Sequence, residues 1–191
     1  MNVSILHILA ESGADERSLQ ALERQVKGRG HAAGDYLLRQ GTAAPQLLFL
    51  AEGLVKMVYT TPTGGEYIKS FLDAGSFVGS LAALLEGLPS TFSVVCLEAT
   101  RVEVLPYAAL EVLTERDPAV LRFALVLFQR LALKKERREH DLLCLTAEQR
   151  YRQFLRDQPR VAERVTQADI ARYLGITPVA LSRIRGRIKG E

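Results

Sequence analysis

Val165-Thr-Gln-Ala-Asp-Ile-Ala-Arg-Tyr-Leu-Gly-Ile-Thr-Pro-Val-Ala-Leu-Ser-Arg-Ile-Arg-Gly-Arg-Ile188 decides how the rest of this 191-residue chain is read. Thr166 suits a helix N-cap, its hydroxyl accepting from a free amide of the first turn. Ile170, Ala171 and Leu174 recur at helical spacing. Gly175 then stands where a helix closes with a left-handed residue. Thr177 caps a second helix and Pro178 enters its first turn, where a missing N–H is harmless. Leu181, Ile184 and Ile188 form the inward stripe of that helix, leaving Ser182, Arg183, Arg185, Arg187 and Lys189 for its other faces. Paired amphipathic helices around a glycine are common in proteins. An apolar face behind, a cationic face in front and a tight turn between them fit a DNA-binding helix-turn-helix.

Charge supports that reading. The formal net charge is only +3, but it is unevenly spread. From Gln129 onward there are 15 Lys and Arg against 8 Asp and Glu; before it, 10 against 14. A basic end on a mildly acidic body suits a polyanionic partner. Cys96 and Cys144 lie far apart in apolar surroundings, so both are expected to be packed rather than paired, as in a reducing cytoplasm. His7, His31 and His140 lack metal-ligand spacing, and no cofactor is expected. No apolar run reaches membrane-spanning length, and no export signal opens the chain, so a cytoplasmic protein without membrane contact is expected.

Outward from the basic end, the chain divides by rhythm. Residues 2–26 have helical patterning around Leu6, Leu9, Leu19 and Leu22, interrupted by Gly13. From His31, short β-type runs alternate with turns: 36–38, 47–50, 54–60, 67–72, 94–97 and 101–105, with Thr63-Gly-Gly65 as a hairpin tip. That pattern predicts a small antiparallel roll. Val120–Leu133 is apolar on almost every face and must be covered all round. The seam Leu121, Leu125, Phe128 and Leu131 is the candidate contact with a second copy, the alternative being burial within one chain. Lys134–Glu139 reads as a solvated continuation of the same helix. Thr146-Ala-Glu-Gln149 has capping-box form and starts a new helix, which Pro159 ends.

The order roll, long helix, helix-turn-helix resembles the CRP/FNR family of bacterial transcription regulators. The resemblance rests on Gly34-Asp-Tyr-Leu with Gly41, Glu52-Gly53-Leu-Val, Gly65-Glu66, Gly75-Ser-Phe-Val-Gly79, Leu97-Glu98-Ala99 and the stretch from Tyr173 to Arg185. It implies an α+β chain: an antiparallel β-roll of cyclic-nucleotide-binding type over 1–117, a dimerisation helix over 118–145, and a helix-turn-helix domain over 146–191 with a reduced wing. A Pro159–Val165 loop stands in the wing's place. It further implies a homodimer on duplex DNA reading an inverted repeat through helix 177–188, with RNA polymerase as a further partner. Arg183, Ser182 and Val179 match the base-reading positions. Thr166, Gln167 and Thr177 suit phosphates at helix N-termini, with Arg185, Arg187 and Lys189 adding attraction.

Two departures from the family matter. Val179 replaces a frequent Glu, so a thymine methyl contact is expected there instead of cytosine. In the effector cassette, Gly79 is kept, but the ribose-binding Glu and the phosphate-binding Arg-Ser pair become Ser80 and Ser90-Thr91. A serine offers one neutral donor where arginine offers a charged fork. Tight binding of cyclic AMP is therefore not expected; the pocket holds another small effector or a packed core. The family's N-terminal cysteine cluster is absent, and His7 and His31 are poor haem ligands. The competing reading is a ligand-sensing module acting through protein partners without DNA. Enzyme motifs such as a nucleophile elbow, P-loop or dinucleotide fingerprint are missing.

Overall fold

The computed structural model describes residues 4–189. The N-terminal patterning resolves into helices α1 (Ile5–Glu11) and α2 (Glu16–Glu23), capped by the side chains of Ser4 and Asp15. Eight strands follow, with two short helices among them: β1 (Lys27–His31), β2 (Tyr36–Leu38), β3 (Gln46–Glu52), β4 (Leu54–Thr60), β5 (Glu66–Asp73), β6 (Phe77–Val78), α3 (Leu81–Leu85), β7 (Ser93–Cys96), β8 (Thr100–Pro106) and α4 (Tyr107–Thr114). They form two four-stranded antiparallel sheets, ordered β1-β8-β3-β6 and β2-β7-β4-β5. Leu48, Leu50, Val55, Met57, Val94 and Val102 interdigitate between them. This is the expected roll.

The sequence pattern missed β1, β6, α3 and α4. β1 has no apolar alternation because it lies at a sheet edge, held by backbone pairing with β8 alone. β4 corrects the pattern differently. Leu54, Val55, Met57 and Val58 are all buried, so this strand is covered on both faces. Its second cover comes from the far end of the chain.

Helix α5 (Pro118–Cys144) carries Pro118 at its start and Asp117 as N-cap. Asp117 accepts from the Ala119 amide at 2.8 Å and from the Asp15 amide at 2.9 Å, tying α2 to α5. Val120, Phe123 and Leu127 pack toward α1, α4 and β3, with Phe123 5.5 Å from the Phe77 ring. The opposite face is bare: Leu121 is 54% and Leu125 55% exposed, Phe128 is half-buried and Ala132 is exposed. Leu131 is half-buried and falls seven residues after buried Ala124, at the body-facing edge of this stripe. The charged run 134–139 continues the helix and is largely exposed, but Arg138 turns inward, contrary to a fully solvated reading. Cys96 is buried as expected; Cys144 is exposed, against expectation, because it ends the helix beside the bare face of the last turn. Both are free.

The chain closes with α6 (Ala147–Asp157), α7 (Pro159–Ala162), α8 (Gln167–Leu174) and α9 (Pro178–Lys189). The capping box at Thr146 and Gln149 forms as its spacing requires. The expected Pro159–Val165 loop is in part a helical turn, α7, whose Val161 is buried along with Val165. No described residue between 146 and 189 is in a strand.

Candidate DNA-reading surface

The α8–turn–α9 unit is built from the groups the sequence marks. Thr166 Oγ1 accepts from the Asp169 amide at 3.1 Å, and Thr177 Oγ1 from the Ala180 amide at 3.2 Å. Gly175 has φ +70°, a conformation that disfavours a side chain, and it turns the chain between the helices. Ile170, Ala171, Leu174, Leu181 and Ile184 are buried against Phe154 of α6. That leaves Val179 61% exposed, with Ser182 and Arg183 exposed on the same outer face of α9. Thr166, Gln167 and Thr177 are exposed at the two helix N-termini, where free amides favour a phosphate. Val179, Ser182, Arg183, Thr166, Gln167 and Thr177 are therefore all open to solvent.

The flanking cations are less free than the sequence suggests. Arg187 forks onto Glu148 of α6, Nη2 at 2.8 Å and Nε at 3.2 Å from Oε2. Hydrogen bonds from Arg187 and Arg152 hold the Glu148 carboxyl below its ordinary range. Arg185 is half-buried, and the side chain of Lys189 lies outside the described residues.

Two arginines absent from the sequence-derived site tie the reader to the long helix. Arg150 donates through Nη1 to the Leu145 carbonyl at 2.5 Å and through Nη2 to the Leu174 carbonyl at 3.0 Å. Arg138 donates to the Tyr173 carbonyl and stacks 3.9 Å above the Tyr173 ring. Both satisfy carbonyls at the open C-terminal end of α8, where cations oppose the helix dipole favourably. Nothing in the local pattern marks either residue, since each acts on a helix 24 or 35 residues away.

Both serines at the cassette positions are buried. Ser90 is 2% exposed; its hydroxyl donates to the Phe92 carbonyl at 2.8 Å and is consumed by its own turn. Ser80 is 1% exposed and its hydroxyl has no partner among the described residues. A Cβ on Gly79 would stand 2.9 Å from Leu84 Cδ1, so apolar side chains already occupy that approach. Thr91 is exposed and turned away from this packing. Phe92 fills the roll interior, its ring 4.1 Å from Lys69 Nζ, with Tyr59 edge-on at 6.2 Å. Burial, then Lys135 and Lys134, push the Lys69 ammonium down to about 8. Neither Ser80 nor Ser90 offers the charged donor that best holds a phosphate.

Comparison with known proteins agrees with the architecture. Residues 29–117 match the family model of the cyclic nucleotide-binding domain. The fumarate and nitrate reduction regulatory protein of Vibrio cholerae is 28% identical over 171 residues, covering 82% of this chain and 66% of that protein, just under two thirds of its length. FixK2 from Bradyrhizobium japonicum superposes with TM-score 0.76 at 19% identity, over 86% of this chain and 85% of its own. The c-di-GMP responsive regulator CLP of Xanthomonas campestris gives 0.74 at 18%, over 92% of each chain. The class is thus a nucleotide-binding-type roll joined by a long helix to a C-terminal helical unit. The chain is similar to regulators of the CRP/FNR type in its cyclic nucleotide-binding domain over 29–117 and in its overall fold. Among the described residues no helix is long and apolar enough to cross a membrane, and no cluster of His, Cys, Asp and Glu could hold a metal.

Proposed function

We propose that the protein is a homodimeric, sequence-specific DNA-binding regulator whose roll does not take cyclic AMP. The observation that carries this reading is the division of α9: Leu181 and Ile184 inward, Val179, Ser182 and Arg183 outward and open. Arg183 is the guanine reader, forking onto O6 and N7, with Ser182 beside it and Val179 against a thymine methyl. Thr166, Gln167 and Thr177 hold phosphates and set register, while Arg185, Arg187 and Lys189 supply attraction. The bare stripe Leu121, Leu125 and Phe128 pairs with its counterpart in a second copy, the two reading helices then lying about one duplex turn apart. In this reading 1–117 is the sensor-derived roll, 118–145 the dimer helix and 146–191 the reader.

Selection of bound sequences from a random duplex pool tests the proposal. The expected product is one inverted repeat containing guanine in each half-site. Recovery of no enriched sequence, with no salt-sensitive retention of duplex, would reject it. Cyclic AMP at millimolar concentration should leave the melting temperature unchanged, whereas a ligand that bound the folded state would raise it. A clear rise would show that the cassette opens.

A further inference from the structure

The outer face of the β4–β5 pair is buried by the C-terminal helices, and the contact is specific as well as apolar. Val58 and Ile68 are register partners, as are Lys56 and Phe71, and all four face the helices. A register shift at Met57/Val58 keeps both pairs on that side. Val58, Ile68 and Phe71 belong to the same apolar cluster as Phe154, Ile170 and Leu174. Phe71 stacks 5.4 Å from Tyr173 and 6.0 Å from Phe154. In the middle of this face Lys56 Nζ meets Asp169 Oδ1 of α8 at 2.9 Å, the side chains 16% and 7% exposed. At the rim, Arg164 pairs with Glu98, and Arg172 lies 3.6 Å from Glu66.

We infer that the roll is itself part of the DNA-reading unit: Lys56 and Phe71 are positioning residues that hold α8, and through it α9, in the reading pose with no effector bound. This rests on the DNA-binding function proposed above. A buried ion pair within an apolar contact discriminates against displaced packings, because any shift leaves a desolvated charge unpaired. The contact draws on Phe154 of α6, on Arg164 and on Asp169, Arg172 and Tyr173 of α8. Val179, Ser182, Arg183, Thr166 and Thr177 all stay exposed while the helices are docked. Glu66 and Glu98, the roll carboxylates that pair with Arg172 and Arg164, repel a phosphate backbone less for being paired. Lys56 reaches Asp169 directly and Phe71 packs on Phe154 and Tyr173, so no bridging ligand is required between the two surfaces.

The experiment compares affinity for the selected inverted repeat with affinity for one isolated half-site. The half-site reports the integrity of α8–α9; the ratio reports how well the two readers are spaced. In full-length protein, Lys56→Met should weaken repeat binding by about tenfold or more, with half-site binding changed less than about threefold. It should also flatten the preference for one half-site spacing. Glu98→Ala, at an exposed rim position, should lower the ratio in the same direction and serves if Lys56→Met fails to fold. Wild-type protein stripped of small molecules by unfolding and refolding should keep its repeat affinity. An unchanged ratio in both variants overturns the inference, as does tighter repeat binding, which would make the contact a restraint on DNA binding. Loss of affinity after stripping would overturn effector independence. Absence of any DNA binding in the wild type rejects the proposed function instead.

Discussion

Arg183 and Arg187 are two arginines one helical turn apart with different freedom. Arg183 is exposed without a hydrogen bond or ion pair among the described residues, while Arg187 is held by Glu148. Arg183→Ala should therefore lose about 1–3 kcal/mol on the selected repeat and much less on random duplex. Equal losses in a competition assay would remove its base-reading role. Asp117 carries a different kind of load. Hydrogen bonding from the Asp15 amide first, against burial, and then from Ala119, holds its carboxyl below the ordinary 3.8. A lowered folded value means the unfolded chain binds the proton more readily. The stabilisation is therefore complete above about 3.8 and disappears as pH falls through the lower folded value. Asp117→Ala should destabilise by about 1–3 kcal/mol at neutral pH, since a cap and a second buried acceptor are lost together. In urea melts, the difference between wild type and variant should shrink toward acid pH.

At the scale of elements, α5 is the one whose chemistry was most visible in the pattern. Its apolar length announced a helix covered on more than one side, and the bare stripe through Leu121, Leu125 and Phe128 is what one chain leaves uncovered. Leu125→Glu should split the dimer, with sedimentation showing a monomer and the repeat bound no more tightly than a half-site. The turn chemistry of α8 and α9 was equally legible, because Thr166, Gly175 and Thr177 act on backbone within three residues of themselves. β1 was not, since an exposed edge strand needs no apolar face and is recruited by its neighbour β8. β6 escaped for a related reason: two residues, Phe77 and Val78, are too short to show a period.

Across the whole molecule, the roll and the reader share one apolar cluster, so they should melt together. Thermal unfolding followed by near-UV and far-UV signals should give one coincident transition. A chain ending at residue 145 would uncover Val58, Ile68 and Phe71 on the outer sheet face. It should melt well below the full-length protein and aggregate from that face. Two separated transitions in the intact protein, or a truncated chain as stable as the whole, would contradict the shared core.

The sequence by itself determined the local elements of the C-terminal helices and the existence of the roll and the long helix. Each depends on a side chain acting on its own backbone or on a period repeated along one element. Tertiary structure alone decided that Lys56 meets Asp169, that Arg138 and Arg150 close the end of α8, and that Phe92 is buried in the roll interior. Those partners are far apart in the chain, and desolvation selects them only once two surfaces have closed on each other.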